Sequence, residues 1–178
     1  MNGVNNKCLF CYKPLIENEI DFHLQCSKKF FGSKIPKEVP FNLSEIEKQA
    51  IFTLQGRIAV TGVQPKISLD TNSNSGNNNR LPIVGMMGNY ILKPPVKQYP
   101  EMPEIEDLTM HLAELLKIKT AQHSLIKLKS GELAYITKGF DRDKNSKLAM
   151  EDMAQLTGML TENKYRGSME KIGKVINQ

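Results

Sequence analysis

The sequence predicts an α+β fold, an antiparallel sheet with one inserted helix, preceded by a small cysteine-rich module. Three observations carry this reading. Short apolar runs bounded by Gly, Pro and Asn recur around Ile67–Leu69, Ile83–Met87, Asn89–Lys93, Leu125–Lys129 and Leu133–Lys138. Between the third and fourth of these runs, Ile105, Leu108, Leu112, Leu115 and Leu116 recur at helical spacing. All three cysteines of the chain fall within its first 26 residues, beside a histidine.

The elements follow in order. Residues 1–31 form the cysteine-rich module, and a proline-spaced connector runs from Gly32 to Phe41. Leu43, Ile46, Ala50 and Leu54 predict a helix, with Ser44 and Glu47 as its capping box. A strand with Ile67 and Leu69 comes next, then a polar hairpin tip at Asn72–Asn79. Gly88 marks a bend or a close backbone approach between two extended runs. Pro94, Pro95 and Pro100 force an extended exit before the inserted helix. Ser130-Gly131 turns the following hairpin, and Ala149–Leu160 and Ser168–Ile176 read as helices.

The first chemical signal is Cys8-Leu9-Phe10-Cys11 followed, after eleven residues, by His23-Leu24-Gln25-Cys26. A two-residue gap lets both side chains of a pair curl onto one cation, and the longer loop folds back to close a tetrahedron. Thiolate and imidazole are the donors zinc prefers, and four protein ligands leave no open position for chemistry. Cys8, Cys11, His23 and Cys26 are therefore expected to hold one structural zinc in a zinc-knuckle-like module, 1–31. The plainer reading is that the cysteines are small core residues and His23 caps a helix.

The 178 residues carry 24 Lys and Arg against 19 Asp and Glu, a net charge of +5 spread along the chain. Such a balance suits a phosphate-bearing ligand or an acidic partner, but it equally describes a solvated basic surface. Direct nucleic-acid binding is not expected. Lys7, Glu17, Glu19 and Asp21 interrupt any apolar leader, and no run approaches the roughly 18 apolar residues of a membrane span. A cytoplasmic protein without a membrane partner is the expectation.

Three further segments are Thr61-Gly62-Val63-Gln64-Pro65-Lys66, Tyr90-Ile91-Leu92-Lys93-Pro94-Pro95 and Lys138-Gly139-Phe140-Asp141-Arg142. In this order they resemble the ATP-clamping half of the HipA family of bacterial serine/threonine kinases, known as toxins of toxin–antitoxin systems. The resemblance implies a kinase-like small lobe at 32–145 and a truncated start of the large lobe at 146–178. Thr61, Gly62, Val63, Gln64 and Lys66 would be the phosphate-covering loop, and Lys93 the phosphate-binding lysine. Glu106, with Glu104 as runner-up, would orient that lysine from the inserted helix. Lys138 and Phe140 would lie at the hinge, offering backbone groups to adenine.

The implied cofactors are ATP with magnesium. The implied substrate is an aminoacyl-tRNA synthetase, and the implied partner a DNA-binding antitoxin of the HipB type or the missing large lobe. A serine that family members often phosphorylate ahead of the loop glycine corresponds to Ala59, leaving Thr61 as the nearby hydroxyl. The family's Asp-x-His-x-Lys-Asn stretch and its following metal-binding aspartate have no match up to Gln178. The expected function is thus the ATP-binding amino-terminal segment of such a kinase, catalytically incomplete in this chain. The alternative is a non-catalytic zinc-bearing module that binds a kinase or antitoxin partner.

Overall fold

A computed structural model describes residues 6–55, 65–71, 79–84, 88–143, 146–160, 163 and 166–177. The elements are α1 (Leu24–Phe31), α2 (Leu43–Gln55), β1 (Ile67–Leu69), β2 (Ile83–Val84), β3 (Tyr90–Lys93) and α3 (Met102–Leu115). They continue as β4 (His123–Lys127), β5 (Leu133–Lys138), β6 (Arg142–Asp143), β7 (Ser146–Lys147), α4 (Met153–Leu156) and α5 (Met169–Ile176). Five strands form one antiparallel sheet in the order β2-β1-β3-β5-β4, with α3 inserted between β3 and β4. The α+β class expected from the sequence is what the chain adopts. The short β6–β7 ladder stands apart.

Register fixes what lies at each end of the sheet. Ile67 pairs with Leu92, so the chain entering β1 from Lys66 arrives beside Lys93. Lys93 itself pairs with Tyr135 on β5, and Tyr90 pairs with Lys138. The turn joining β4 and β5 is closed by Gly131, whose φ of 102° lies where glycine has no steric penalty.

The core runs without a break from the cysteine-rich module into the sheet. Cys8, Phe22, Phe30 and Phe31 share one buried cluster with Leu69, Leu92, Ile126 and Ile136. Phe30 stacks edge-on against Tyr90 at 5.6 Å, and the Tyr90 hydroxyl donates to the Phe30 carbonyl at 3.0 Å. The backbone N–H of Leu125 donates to the Leu9 carbonyl at 3.2 Å, and the Ser124 hydroxyl does so at 3.0 Å.

Gly88 is a close approach. A Cβ there would lie 2.4 Å from the Leu69 carbonyl oxygen, 2.5 Å from Ser68 Oγ and 2.7 Å from Val84 Cγ2. The first is a backbone atom of the sheet that cannot yield cheaply, and the second accepts from the Gly88 N–H at 3.0 Å. Gly88→Ala is expected to destabilise the fold by about 1–3 kcal/mol. A thermal melt followed by circular dichroism checks this, and an unchanged midpoint would contradict it.

Three local expectations are corrected. The capping box is not Ser44 with Glu47: α2 opens at Leu43, and the Asn42 N–H donates to Glu45 Oε2 at 2.7 Å. The same Asn/Ser-x-x-Glu spacing occurs two residues earlier, and the Leu43 N–H is tied to Ser130 Oγ at 2.9 Å. Of the helix expected over Ala149–Leu160, only Met153–Leu156 forms. Asp152 and Gln155 cap it reciprocally, and Gly158, at φ 65°, ends it after one turn.

The third correction concerns α3. Its apolar stripe faces away from the sheet: Ile105, Leu108, Leu112, Leu115 and Leu116 are all more than half exposed. The inward face instead carries Pro103 and the fully buried Asp107. The side of the sheet beneath the helix presents His123 and Lys93, which reward a polar face with hydrogen bonds to Asp107 and Glu106.

Candidate functional site

The cysteine-rich module is built around a tight turn. The Tyr12 N–H donates to the Cys8 carbonyl at 2.9 Å, and Tyr12 takes a left-handed φ of 59°. Cys8 and Cys11 thus stand on the same side of the turn. His23 occupies the extended position before α1, and Cys26 lies in that helix's first turn. Gly32, at φ 77°, terminates α1.

The ligand atoms of Cys8, Cys11, His23 and Cys26 all lie within 4.8 Å of one another. His23 Nδ1 is 3.4 Å from Cys11 Sγ and 3.7 Å from Cys26 Sγ. Its other nitrogen, Nε2, sits 2.9 Å from the Pro14 carbonyl oxygen, which can only accept. The proton is thereby held on Nε2, and the Nδ1 lone pair is aimed at the thiols. A metal-bound histidine is ordinarily oriented through its outer nitrogen in this way. Three sulfurs and one oriented imidazole nitrogen fit a tetrahedral zinc-class ion.

Burial pushes the Cys8 thiol up, but the backbone amides of His23, Phe10 and Cys11 together carry it below its ordinary value. Burial, a hydrogen bond to Cys11 and the neighbouring sulfurs push Cys26 up to about 12. The Pro14 carbonyl, followed by the nearby thiol of Cys8 and Glu19, raises His23 against the opposing effect of burial.

The second constellation lies where β3 meets α3. Lys93 ends β3, and its ammonium donates to Glu106 Oε1. Both side chains are roughly a quarter exposed, so the pair lines an accessible surface rather than a sealed core. The same ammonium lies 5.4 Å from the centre of the Tyr135 ring, a cation–π contact from β5. Glu104 does not take this place: its Oε2 is buried without a hydrogen-bond partner among the described residues.

Thr61, Gly62, Val63 and Gln64 lie outside the described residues, as does Ala59. Lys66 is exposed at the entry to β1, beside the Lys93 end of the sheet. After β5, Lys138 and Phe140 are both exposed. The Lys138 N–H is donated to the Gln122 carbonyl and the Gly139 N–H to the Asn89 carbonyl, each at 2.8 Å. Those two amides are already used within the protein.

A third grouping left no mark in the sequence reading. The Tyr12 hydroxyl donates to Asp107 Oδ2, and His123 Nδ1 lies 2.7 Å from Asp107 Oδ1. Burial, then this hydrogen bond, raises the Tyr12 hydroxyl and keeps it protonated as a donor. Asp107 is the chain neighbour of Glu106, so the cysteine turn is joined by one hydrogen bond to the helix segment that meets Lys93.

The fold and these sites describe an α+β domain with an amino-terminal Cys3His cluster and a lysine–glutamate pair between its central strand and its inserted helix. A family model described as the HipA-like C-terminal domain matches residues 58–178. The chain belongs to the HipA-like family. It is 32% identical over 132 residues to a Sinorhizobium fredii protein named "Putative kinase Y4dM", covering 67% of this chain and 32% of that protein. It is 28% identical over 194 aligned positions to a Haemophilus influenzae protein named "Putative kinase", covering 97% of this chain and 53% of that protein. The chain thus spans between about a third and about half of these relatives' lengths. Among the described residues no helix is long and apolar enough to cross a membrane.

Proposed function

We propose that this chain is the ATP-binding, amino-terminal part of a HipA-like serine/threonine kinase, folded as a kinase-like small lobe behind a zinc-stapled module. The observation that carries the reading is the Lys93–Glu106 pair, made between the strand β3 and the helix inserted directly after it. A kinase needs a lysine on the third strand, held by a helix glutamate, to engage the nucleotide's phosphates. The register supports the same end of the sheet for the phosphate loop, because Lys66 enters β1 next to Lys93.

The adenine would sit beyond β5. With the amides of Lys138 and Gly139 already donated, the groups proposed to pair with it are carbonyl oxygens of that segment and the backbone of Phe140. When bound, ATP with magnesium supplies the phosphoryl group. Lys93, Lys66 and the loop from Thr61 to Gln64 would neutralise and cover its phosphates. The residues that position the acceptor hydroxyl and hold magnesium are not recognisable in the 178 residues. For the completed kinase, the proposed acceptor is an aminoacyl-tRNA synthetase and the proposed partner a DNA-binding antitoxin.

The chain by itself is therefore expected to transfer no phosphate. Incubation with labelled ATP, magnesium and a panel of tRNA synthetases should leave acceptors at background. Transfer that depends on Lys93 would show that a catalytic carboxylate lies within these residues and would overturn the proposal's division of labour.

A further inference from the structure

His111 and His123 stand face to edge, with ring centres 4.7 Å apart, between two carboxylates. On one side is the fully buried Asp107, with His123 Nδ1 at 2.7 Å from its Oδ1 and His111 Nε2 at 3.4 Å from its Oδ2. On the other side is Glu114, with His123 Nε2 at 3.5 Å from its Oε1 and His111 Nδ1 at 3.9 Å from its Oε2. Each imidazole thus has one nitrogen toward Asp107 and the other toward Glu114.

The count of donors decides what this arrangement wants. Four nitrogen–oxygen approaches would need four N–H groups; two neutral imidazoles supply two, and the other two approaches call for either a second proton on each ring or a cation. Each carboxylate also accepts from a hydroxyl, Asp107 from Tyr12 and Glu114 from Thr120, but His123 lies 2.7 Å from Asp107 and 3.5 Å from Glu114. With the His123 proton on Nδ1, facing Asp107, that ring turns an Nε2 lone pair toward the carboxylate of Glu114. His111 Nε2 is buried and makes no hydrogen bond among the described residues. The buried Glu104 Oε2, which raises Tyr12 through its charge, adds to the negative surroundings. Lys93 does not relieve them, because its ammonium is held by Glu106.

A divalent cation between Glu114 and the two rings would take the His123 Nε2 lone pair, His111 Nδ1 and that carboxylate as ligands, with the His111 proton on Nε2 toward Asp107. We propose that His111, His123 and Glu114, backed by Asp107, form a second metal site for a divalent first-row transition cation of the zinc class. Two imidazoles and one carboxylate are donors such an ion accepts. Asp107 then stands behind the rings as the outer carboxylate that fixes their orientation. Thr120 Oγ1 donates to Glu114 Oε1 at 2.9 Å and steadies the third ligand. Glu114 is half exposed, which gives the ion its way in from solvent.

The test is zinc stoichiometry and affinity on the full 178-residue chain, by calorimetry and by metal analysis after gel filtration. The wild type should bind two equivalents, the tighter one at the cysteine cluster. Glu114→Gln and His111→Gln should each weaken the second equivalent by tenfold or more and leave the first unchanged. Glu114→Gln removes no buried group, and retention of the first equivalent reports that the fold is kept. Binding that stops at the cysteine cluster in the wild type would overturn the proposal. So would a second equivalent that survives both substitutions undiminished.

Discussion

Stripping the cation from Cys8, Cys11, His23 and Cys26 is expected to melt the amino-terminal module and loosen the sheet it covers. Cys8 is fully buried, and Cys26 lies in the first turn of the helix that places Phe30 and Phe31 against Tyr90. Without a cation, the raised Cys26 keeps its proton and a sulfur without a strong partner is left in a part-buried position. Structural zinc in isolated fingers contributes an apparent binding free energy of about 10–16 kcal/mol to folding. Here the module also shares the sheet's core, so part of that structure is held by burial alone. A fall in melting temperature on the order of ten degrees or more is expected with a strong chelator. Cys8→Ser should reproduce it without chelator. Identical melts with and without chelator, on protein shown by metal analysis to have carried the ion, would refute the structural role.

The second large effect is expected at Lys93. The chain joined to the large lobe of a family relative should bind ATP, and Lys93→Met should weaken that binding tenfold or more in calorimetry. A charge-assisted contact of this kind is worth roughly 1.5–3 kcal/mol. The fold should tolerate the change, because Glu106 is partly exposed and can turn to water. Glu106→Gln should cost less, since it loosens the lysine rather than removing it. The two substitutions combined should cost little more than Lys93→Met alone, as expected of groups acting as a unit. Lys138→Ala should leave affinity unchanged. A Lys93→Met protein that binds ATP as tightly as its parent would remove the central support of the kinase reading.

What could be seen in the sequence was whatever declares itself over a few residues. The Cys8–Cys11 and His23–Cys26 pairs are spaced by two, and the fold brings all four ligand atoms together. Ser130-Gly131 marked the β4–β5 turn, and Gly88 the tight approach to Leu69 and Ser68. The inverted face of α3 was not visible, because periodicity tells which residues share a stripe and not which way the stripe turns. What turns it is Asp107, whose partners Tyr12 and His123 lie 95 and 16 residues away. No local spacing links them. The square of His111, His123, Asp107 and Glu114 was missed for the same reason, apart from the helical spacing of Asp107, His111 and Glu114. The loop from Thr61 to Gln64 lies outside the described residues, so its role rests on the resemblance and on where Lys66 enters the sheet.

The hydrogen bond from Ser124 to the Leu9 carbonyl closes a separation of 115 residues, and Lys127 reaches Asp21 across 106. During synthesis these contacts cannot form until β4 has left the ribosome. The four metal ligands, by contrast, are all present once Cys26 has emerged. Capture of a cation by these residues would therefore be a local, early event, and docking of the module on β4 a late one with a long loop to close. In the interval Phe10, Phe22, Phe30 and Phe31 have no sheet to cover them. A cation held by the cysteine turn would keep that aromatic surface ordered until the strands that cover it are made.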